Sequence, residues 1–244
     1  MTGEGMMAEI VVAHGAWSAG WAWKKMRPLM AGRGHSLWTP TYTGLGERSH
    51  LAGPQVDLET QITDVVQVLQ MEDLTDVVLL GHSYGGMVAT GVADRVPERL
   101  QRIVYLDAFV PEDGDSLASL TGQTPEAMRA SAEDGWKAPP RPLPPDTPRA
   151  DVAWVSARRM SHPVECFTQS IRLTGKGAGL PRHYIYALRK DERDSFGRFH
   201  QRAKTTPGWT SHGIDASHSP HITAPEALAD LLDAIIRGGA GASR

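Results

Sequence analysis

A regular alternation of short apolar runs with amphipathic stretches constrains this chain more than any other feature. Ile10–His14, Ser36–Tyr42, Asp76–Leu80, Ile103–Leu106, His183–Ala187 and Thr210–Ile214 read as strands. Trp21–Gly32, Leu58–Gln70, Gly85–Val96, a stretch near Ser195–Lys204 and Pro225–Arg237 read as helices. Pro28 is expected to shorten or kink the first helix, and Pro97 to stop the third. Ile62, Val65, Val66 and Leu69 give the second a single apolar face. The glycine-rich tail after Arg237 is expected to fray. Strands alternating with helices imply βαβ units, hence an α/β fold with about six mostly parallel strands. Such strands are covered on both faces, which explains continuous runs such as Val77-Val78-Leu79-Leu80. Ligands bind such sheets beyond the carboxyl ends of the strands, so the chemistry is expected just after each run.

Residues 111–180 interrupt the alternation. Their centre, Ala138 to Pro148, is rich in proline. A polyproline segment can serve as a ligand for a partner domain. The better reading is an ordered insertion, anchored by Trp136, Trp154, Met160 and Phe167, that caps a site. The expected organisation is therefore a core of residues 1–110 and 181–244, with residues 111–180 as a cap or lid. Of the 244 residues, 41% are hydrophobic and 22% charged, which excludes a disordered or fibrous chain. The net charge is −3 without any basic run, so no nucleic-acid partner is expected. No apolar run approaches the ~18 residues that span a bilayer, so no membrane partner is expected either. The N-terminal stretch shows no basic region followed by a long apolar one, hence no secretory signal. Cys166 is the single cysteine and has no intrachain partner, which points to a reduced, cytoplasmic protein. Oligomeric state is not legible.

Gly81-His82-Ser83-Tyr84-Gly85-Gly86 carries the strongest chemical signal. It follows the run VVLL and opens the helix that begins MVATG. A serine on so sharp a strand-to-helix turn projects its hydroxyl away from the sheet. The turn crowds the residues two before and two after, and here both are glycine. Acyl transfer also needs two donors for a tetrahedral oxyanion. One is the N–H of Tyr84, directly after the serine, and the other is placed at Ala16 in the His14-Gly15-Ala16-Trp17 loop. A base for Ser83 is expected after the last strand, where Ser217-His218-Ser219-Pro220 stands. His221 competes with His218, which is nearer the strand end. For the acid, Asp107 closes the run IVYLD in apolar surroundings, where a carboxylate needs a partner. Asp191 and Asp194 follow HYIYAL, in a charged stretch that also reads as a solvated loop. Asp107 is the preferred acid. No metal ligands at a recognisable spacing and no dinucleotide fingerprint occur, so no cofactor is expected.

Taken together, HGAW, GHSYGG, YLDAFVP and the Ser217-His218 pair resemble the α/β-hydrolase superfamily over nearly the whole chain. The branch most similar contains plant methylesterases, hydroxynitrile lyases and bacterial ester hydrolases. The resemblance implies a triad of Ser83, His218 and an acid, an oxyanion hole at Ala16 and Tyr84, and a small or medium carboxylic ester as substrate. Many relatives carry the acid after the strand matching His183–Ala187, where this chain has Lys190. Some haloalkane dehalogenase-like members place it where Asp107 stands. Hydroxynitrile lyases of this branch have lysine after the catalytic histidine, and here Ser219 takes that place. A lyase or C–C bond hydrolase on the same residues, or a non-catalytic small-molecule receptor, are the other readings.

Overall fold

The computed structural model describes residues 7–190 and 194–238. Its strands are β1 (Glu9–Ala13), β2 (Ser36–Trp38), β3 (Val77–His82), β4 (Leu100–Leu106), β5 (Lys137–Ala138), β6 (His162–Pro163), β7 (Arg182–Ala187) and β8 (Trp209–Ile214). Six of them form one parallel sheet in the order β2-β1-β3-β4-β7-β8, while β5 and β6 make a separate antiparallel ribbon. The helices are α1 (Met26–Gly32), α2 (Leu58–Met71), α3 (Gly85–Arg95), α4 (Leu117–Leu120), α5 (Pro125–Ala130), α6 (Arg149–Ser156), α7 (Glu165–Thr168), α8 (Gly197–Thr205), α9 (Pro220–Thr223) and α10 (Pro225–Gly238).

Alternation along the strands builds two cores. Val11, Leu79, Ile103, Tyr105 and Tyr184 face a layer containing α2, α3 and α8. Ile10, Val12, Val78, Leu80, Val104, Leu106 and Ile185 face the opposite layer, with Trp23, Met26 and Met30 beside α10 residues Leu228, Leu232 and Ile236. Helix α2 begins at a reciprocal cap, in which Asp57 accepts from Thr60 N–H at 2.8 Å, and its four expected apolar residues are buried.

Two expected elements are shorter than the apolar pattern implies. The second strand stops at Trp38, because Pro40 cannot donate to the ladder and restricts Thr39 before it. Tyr42 instead donates through its hydroxyl to the His14 carbonyl at 3.1 Å. The first helix divides into a 3-10 turn (Gly20–Trp23) and α1. Pro28 sets where α1 can start, because its ring would clash with the carbonyl of Lys24 if the α-helix ran on from there. It lies in the first turn, where backbone N–H groups have no intrahelical acceptor to lose. The expected fraying after Arg237 concerns residues that, beyond Gly238, lie outside the described ones.

Residues 111–180 supply α4 to α7 and the ribbon, and no strand of the main sheet. Among the described residues no helix is long and apolar enough to cross a membrane.

Candidate active site

Ser83 forms the turn between β3 and α3, in the left-handed region at φ 56°. That conformation is strained for a side chain and persists only when its surroundings enforce it. Ser83 N–H donates to the Leu106 carbonyl at 3.2 Å. The Ser83 carbonyl accepts from Gly86 N–H at 3.1 Å and Phe109 N–H at 3.0 Å. These bonds stitch the turn to the end of β4. Backbone closes in on α3 as well: a Cβ on Gly85 would lie 2.0 Å from the Ala13 carbonyl oxygen, and one on Gly86 2.0 Å from that of Phe109. Glycine is the residue that leaves this room.

His218 follows β8 and precedes α9. Its Nε2 lies 2.9 Å from Ser83 Oγ, and its Nδ1 lies 2.8 Å from Asp107 Oδ2. A carboxylate accepts only, so Nδ1 carries the proton and Nε2 is free to accept from the serine hydroxyl. Phe196 stacks on the imidazole at 4.8 Å and 12°, which restrains the ring plane. His82 reaches across from the turn, and its Nε2 donates to the His218 carbonyl at 2.8 Å. That bond ties the serine turn to a partner 136 residues away. Burial lowers its pKa to about 3, so it stays neutral.

Asp107 sits at the end of β4, fully buried, at φ 43°. Oδ1 accepts from Lys190 Nζ at 2.5 Å and from Ala187 N–H at 3.3 Å. Burial pushes the carboxyl up, but the hydrogen bond and charge of His218, then those of Lys190, outweigh it and hold the group below the ordinary carboxylate range. Asp194, the other described candidate, accepts from Tyr186 Oη at 2.5 Å and from the N–H groups of Phe196 and Gly197. It is committed to the start of α8. Asp191 lies outside the described residues. His221 is buried and stacks on Trp23 at 4.5 Å.

Among the described residues, the N–H groups of Ala16 and Tyr84 donate to no other protein group. Trp17, which follows Ala16, is fixed at φ 57° by a bond from its N–H to His162 Nδ1 at 3.3 Å. With Nδ1 accepting, His162 Nε2 carries the proton and donates to Gln61 Oε1 at 3.2 Å. The same oxygen accepts from Tyr84 Oη at 2.8 Å. His162, Gln61 and Tyr84 are buried, and this neutral chain joins the Trp17 loop, the 111–180 segment, α2 and the serine turn. His14 orients the same loop, with Nδ1 donating to the Gly15 carbonyl at 2.9 Å and Nε2 accepting from Tyr42 N–H at 3.3 Å. The 111–180 segment contributes further contacts: Ala138 accepts from Trp17 Nε1 at 2.9 Å, and Trp154 packs edge-on to Trp21 at 5.4 Å. Among the described residues no three His, Cys, Asp or Glu side chains gather in a group able to hold a metal ion.

Comparison with known proteins places this geometry in context. The model of a family described as the alpha/beta hydrolase family matches residues 10–231. A carbendazim hydrolyzing esterase from Nocardioides sp. (strain SG-4G) is 38% identical over 94% of this chain and 100% of its own length. A pyrethroid hydrolase from Sphingobium wenxiniae is 27% identical over 93% of this chain and 86% of its own. Among solved structures, an extracellular alpha/beta-hydrolase from a Paenibacillus species superposes with a TM-score of 0.75 at 26% identity, covering 92% of this chain and 97% of that one. With a family model spanning most of its length and the matching six-stranded parallel sheet, the chain belongs to the α/β-hydrolase family.

Proposed function

We propose that this protein is a serine hydrolase of small or medium carboxylic esters. One observation carries the reading: Ser83 Oγ, the His218 ring and Asp107 lie in line, at 2.9 Å and 2.8 Å, with the acid buried. His218 Nε2 takes the Ser83 proton as Oγ attacks the ester carbonyl. The resulting oxyanion is received by the N–H groups of Ala16 and Tyr84. Asp107 keeps the proton of the neutral ring on Nδ1 and stabilises the imidazolium. Collapse expels the alcohol with a proton from His218. Water, deprotonated by His218, then releases the acid and restores Ser83. The similarity to a carbendazim hydrolyzing esterase, a pyrethroid hydrolase and a methylesterase supports ester bonds as the target. In this reading residues 111–180 are a cap, supported by the contacts of Ala138 and His162 with Trp17 beside Ser83's loop. The lone, buried Cys166 accords with a cytoplasmic location.

The test is a p-nitrophenyl ester series of increasing chain length, together with labelling by a fluorophosphonate. Ser83→Ala should abolish labelling and lower kcat by at least ~10⁴-fold with an unchanged melting temperature. Full turnover by a folded, contaminant-free Ser83→Ala protein would overturn the reading. Absence of labelling in the wild type would point to a receptor. Cleavage of a carbon–carbon bond by product analysis would point to the lyase or C–C hydrolase alternative.

A further inference from the structure

Lys190 stands outside every step of the mechanism above, yet it is bonded to the acid. Its ammonium lies 2.5 Å from Asp107 Oδ1, while His218 takes Oδ2. The lysine side chain is 17% exposed and the aspartate side chain 0%, so solvent weakens this pair little. Tyr186 and Phe196 enclose the ammonium at 4.1 and 5.2 Å from their ring centres, and Phe196 is the ring stacked on His218. Asp107 is thus shared between two side-chain donors on opposite oxygens.

We propose that Lys190 is a positioning residue for the triad, orienting the Asp107 carboxylate and offsetting part of its charge, so that the His218 base is available at lower pH than beside a lone carboxylate. This rests on the serine-hydrolase reading. The physical argument has two parts. A carboxylate held at one oxygen by Lys190 and the Ala187 N–H cannot rotate its other oxygen away from His218 Nδ1. A cation next to the acid also opposes formation of a second cation on the imidazole, which favours the neutral, proton-accepting ring.

The other ionisable neighbours do not substitute for it. His82 and His221, from the serine turn and α9, are kept neutral by burial. Tyr184 is buried, its pKa is raised, and its hydroxyl donates to the Ala108 carbonyl. The Tyr186 hydroxyl, its pKa pushed up by burial and by Asp194, is engaged by Asp194. Asp194 lies 3.8 Å from Lys190 and is held ionised by its own donors. His200, from α8, is pushed down by burial and by nearby Lys204 and Lys190. Among these described groups only Lys190 places a positive charge directly on Asp107.

The experiment measures kcat/KM for p-nitrophenyl acetate from pH 5 to 9 in wild type, Lys190→Met, Lys190→Gln and Asp107→Asn, and in the Asp107→Asn/Lys190→Met double variant. Lys190→Met should move the midpoint of the rising limb upward by about 0.5–1 pH unit. It should also lower plateau kcat by about tenfold with KM nearly unchanged. Lys190→Gln removes the charge but keeps a donor, so it should show the same midpoint shift with a smaller loss of kcat. In the Asp107→Asn background, Lys190→Met should change activity by less than about twofold. A midpoint that stays in place in both folded Lys190 variants, or moves down, overturns the proposal. So does an undiminished effect without Asp107. Failure of the hydrolase reading is recognised separately, because turnover and fluorophosphonate labelling would then not depend on Ser83 at all.

Discussion

Ser83 is flanked by two regions built on different physics. On one side stand charges, Asp107 and Lys190, with His218 beside them, joined by bonds of 2.5 and 2.8 Å. On the other stand neutral groups: Trp17 N–H, His162, Gln61 and Tyr84, joined at 2.8–3.3 Å without an ion among them. In the proposed mechanism the charged side would hold a proton and stabilise a positive ring. In the same mechanism the neutral side would hold in place the N–H groups of Ala16 and Tyr84 that receive an anion, fixed dipoles whose worth depends on being in place beforehand. Burial serves each differently. It forces the acid to keep its cationic partners, and it keeps the histidines of the other side uncharged, with His14 lowered to about 4 and His162 well below its ordinary value.

The comparison breaks most visibly at Asp107. Asp107→Asn should cost 10³–10⁴ in kcat, because the ring loses the tautomer that leaves Nε2 free. Asp194→Asn, which disturbs only the start of α8, should cost less than about tenfold. Equal losses in steady-state assays would mean that the charged side is not centred on Asp107.

Acid acts on the neutral side instead. His14 binds its proton near pH 4 when folded and near 6.5 when unfolded. Its folded pKa is depressed, so the stability it contributes is complete above pH 6.5 and is lost as pH falls below that value. By pH 4 the loss is about 3 kcal/mol, close to a hundredfold in the folding equilibrium. Buried His82 adds to it in the same direction. Urea midpoints measured from pH 8 to pH 4 should therefore fall steadily below about 6.5. A flat profile would show that these histidines are not buried as neutral rings.

The smallest expected effect sharpens the contrast. His162→Leu removes the acceptor of Trp17 N–H and should lower kcat about tenfold with little change in KM or in the pH midpoint. A shifted midpoint would show that the two sides are electrically coupled.

The parallel sheet and the placing of Ser83 and His218 at strand ends were legible because each leaves a local mark. Buried parallel strands force continuous apolar runs, and the crowding against Ala13 and Phe109 demands Gly85 and Gly86. Asp107 could be weighed because a carboxylate between Leu106 and Ala108 is chemically conspicuous. Lys190 was hidden for the opposite reason: within Arg189-Lys190-Asp191-Glu192 one cation resembles any solvated charge. His162 and Gln61 were hidden by distance, since a bond across 101 residues leaves no pattern in either neighbourhood. The short second strand and divided first helix follow from Pro40 and Pro28, whose effects depend on where in an element each ring falls.

The His162 bond to Trp17 also bears on the order in which the molecule becomes competent. Strands β1, β3 and β4 carry the serine turn and are complete by Leu106. During synthesis from the N-terminus, that part of the sheet can pair while the rest of the chain is still being made. The Trp17 loop then still lacks its acceptor, which arrives only with His162, and Asp107 lacks both partners until Lys190 and His218 have followed. Under the proposed mechanism, a nascent chain that already displays Ser83 on its turn would therefore have neither base nor oriented acid beside it. On that mechanism its reactivity would begin only once β8 pairs with β7 and His218, which follows β8, reaches Asp107 and Ser83.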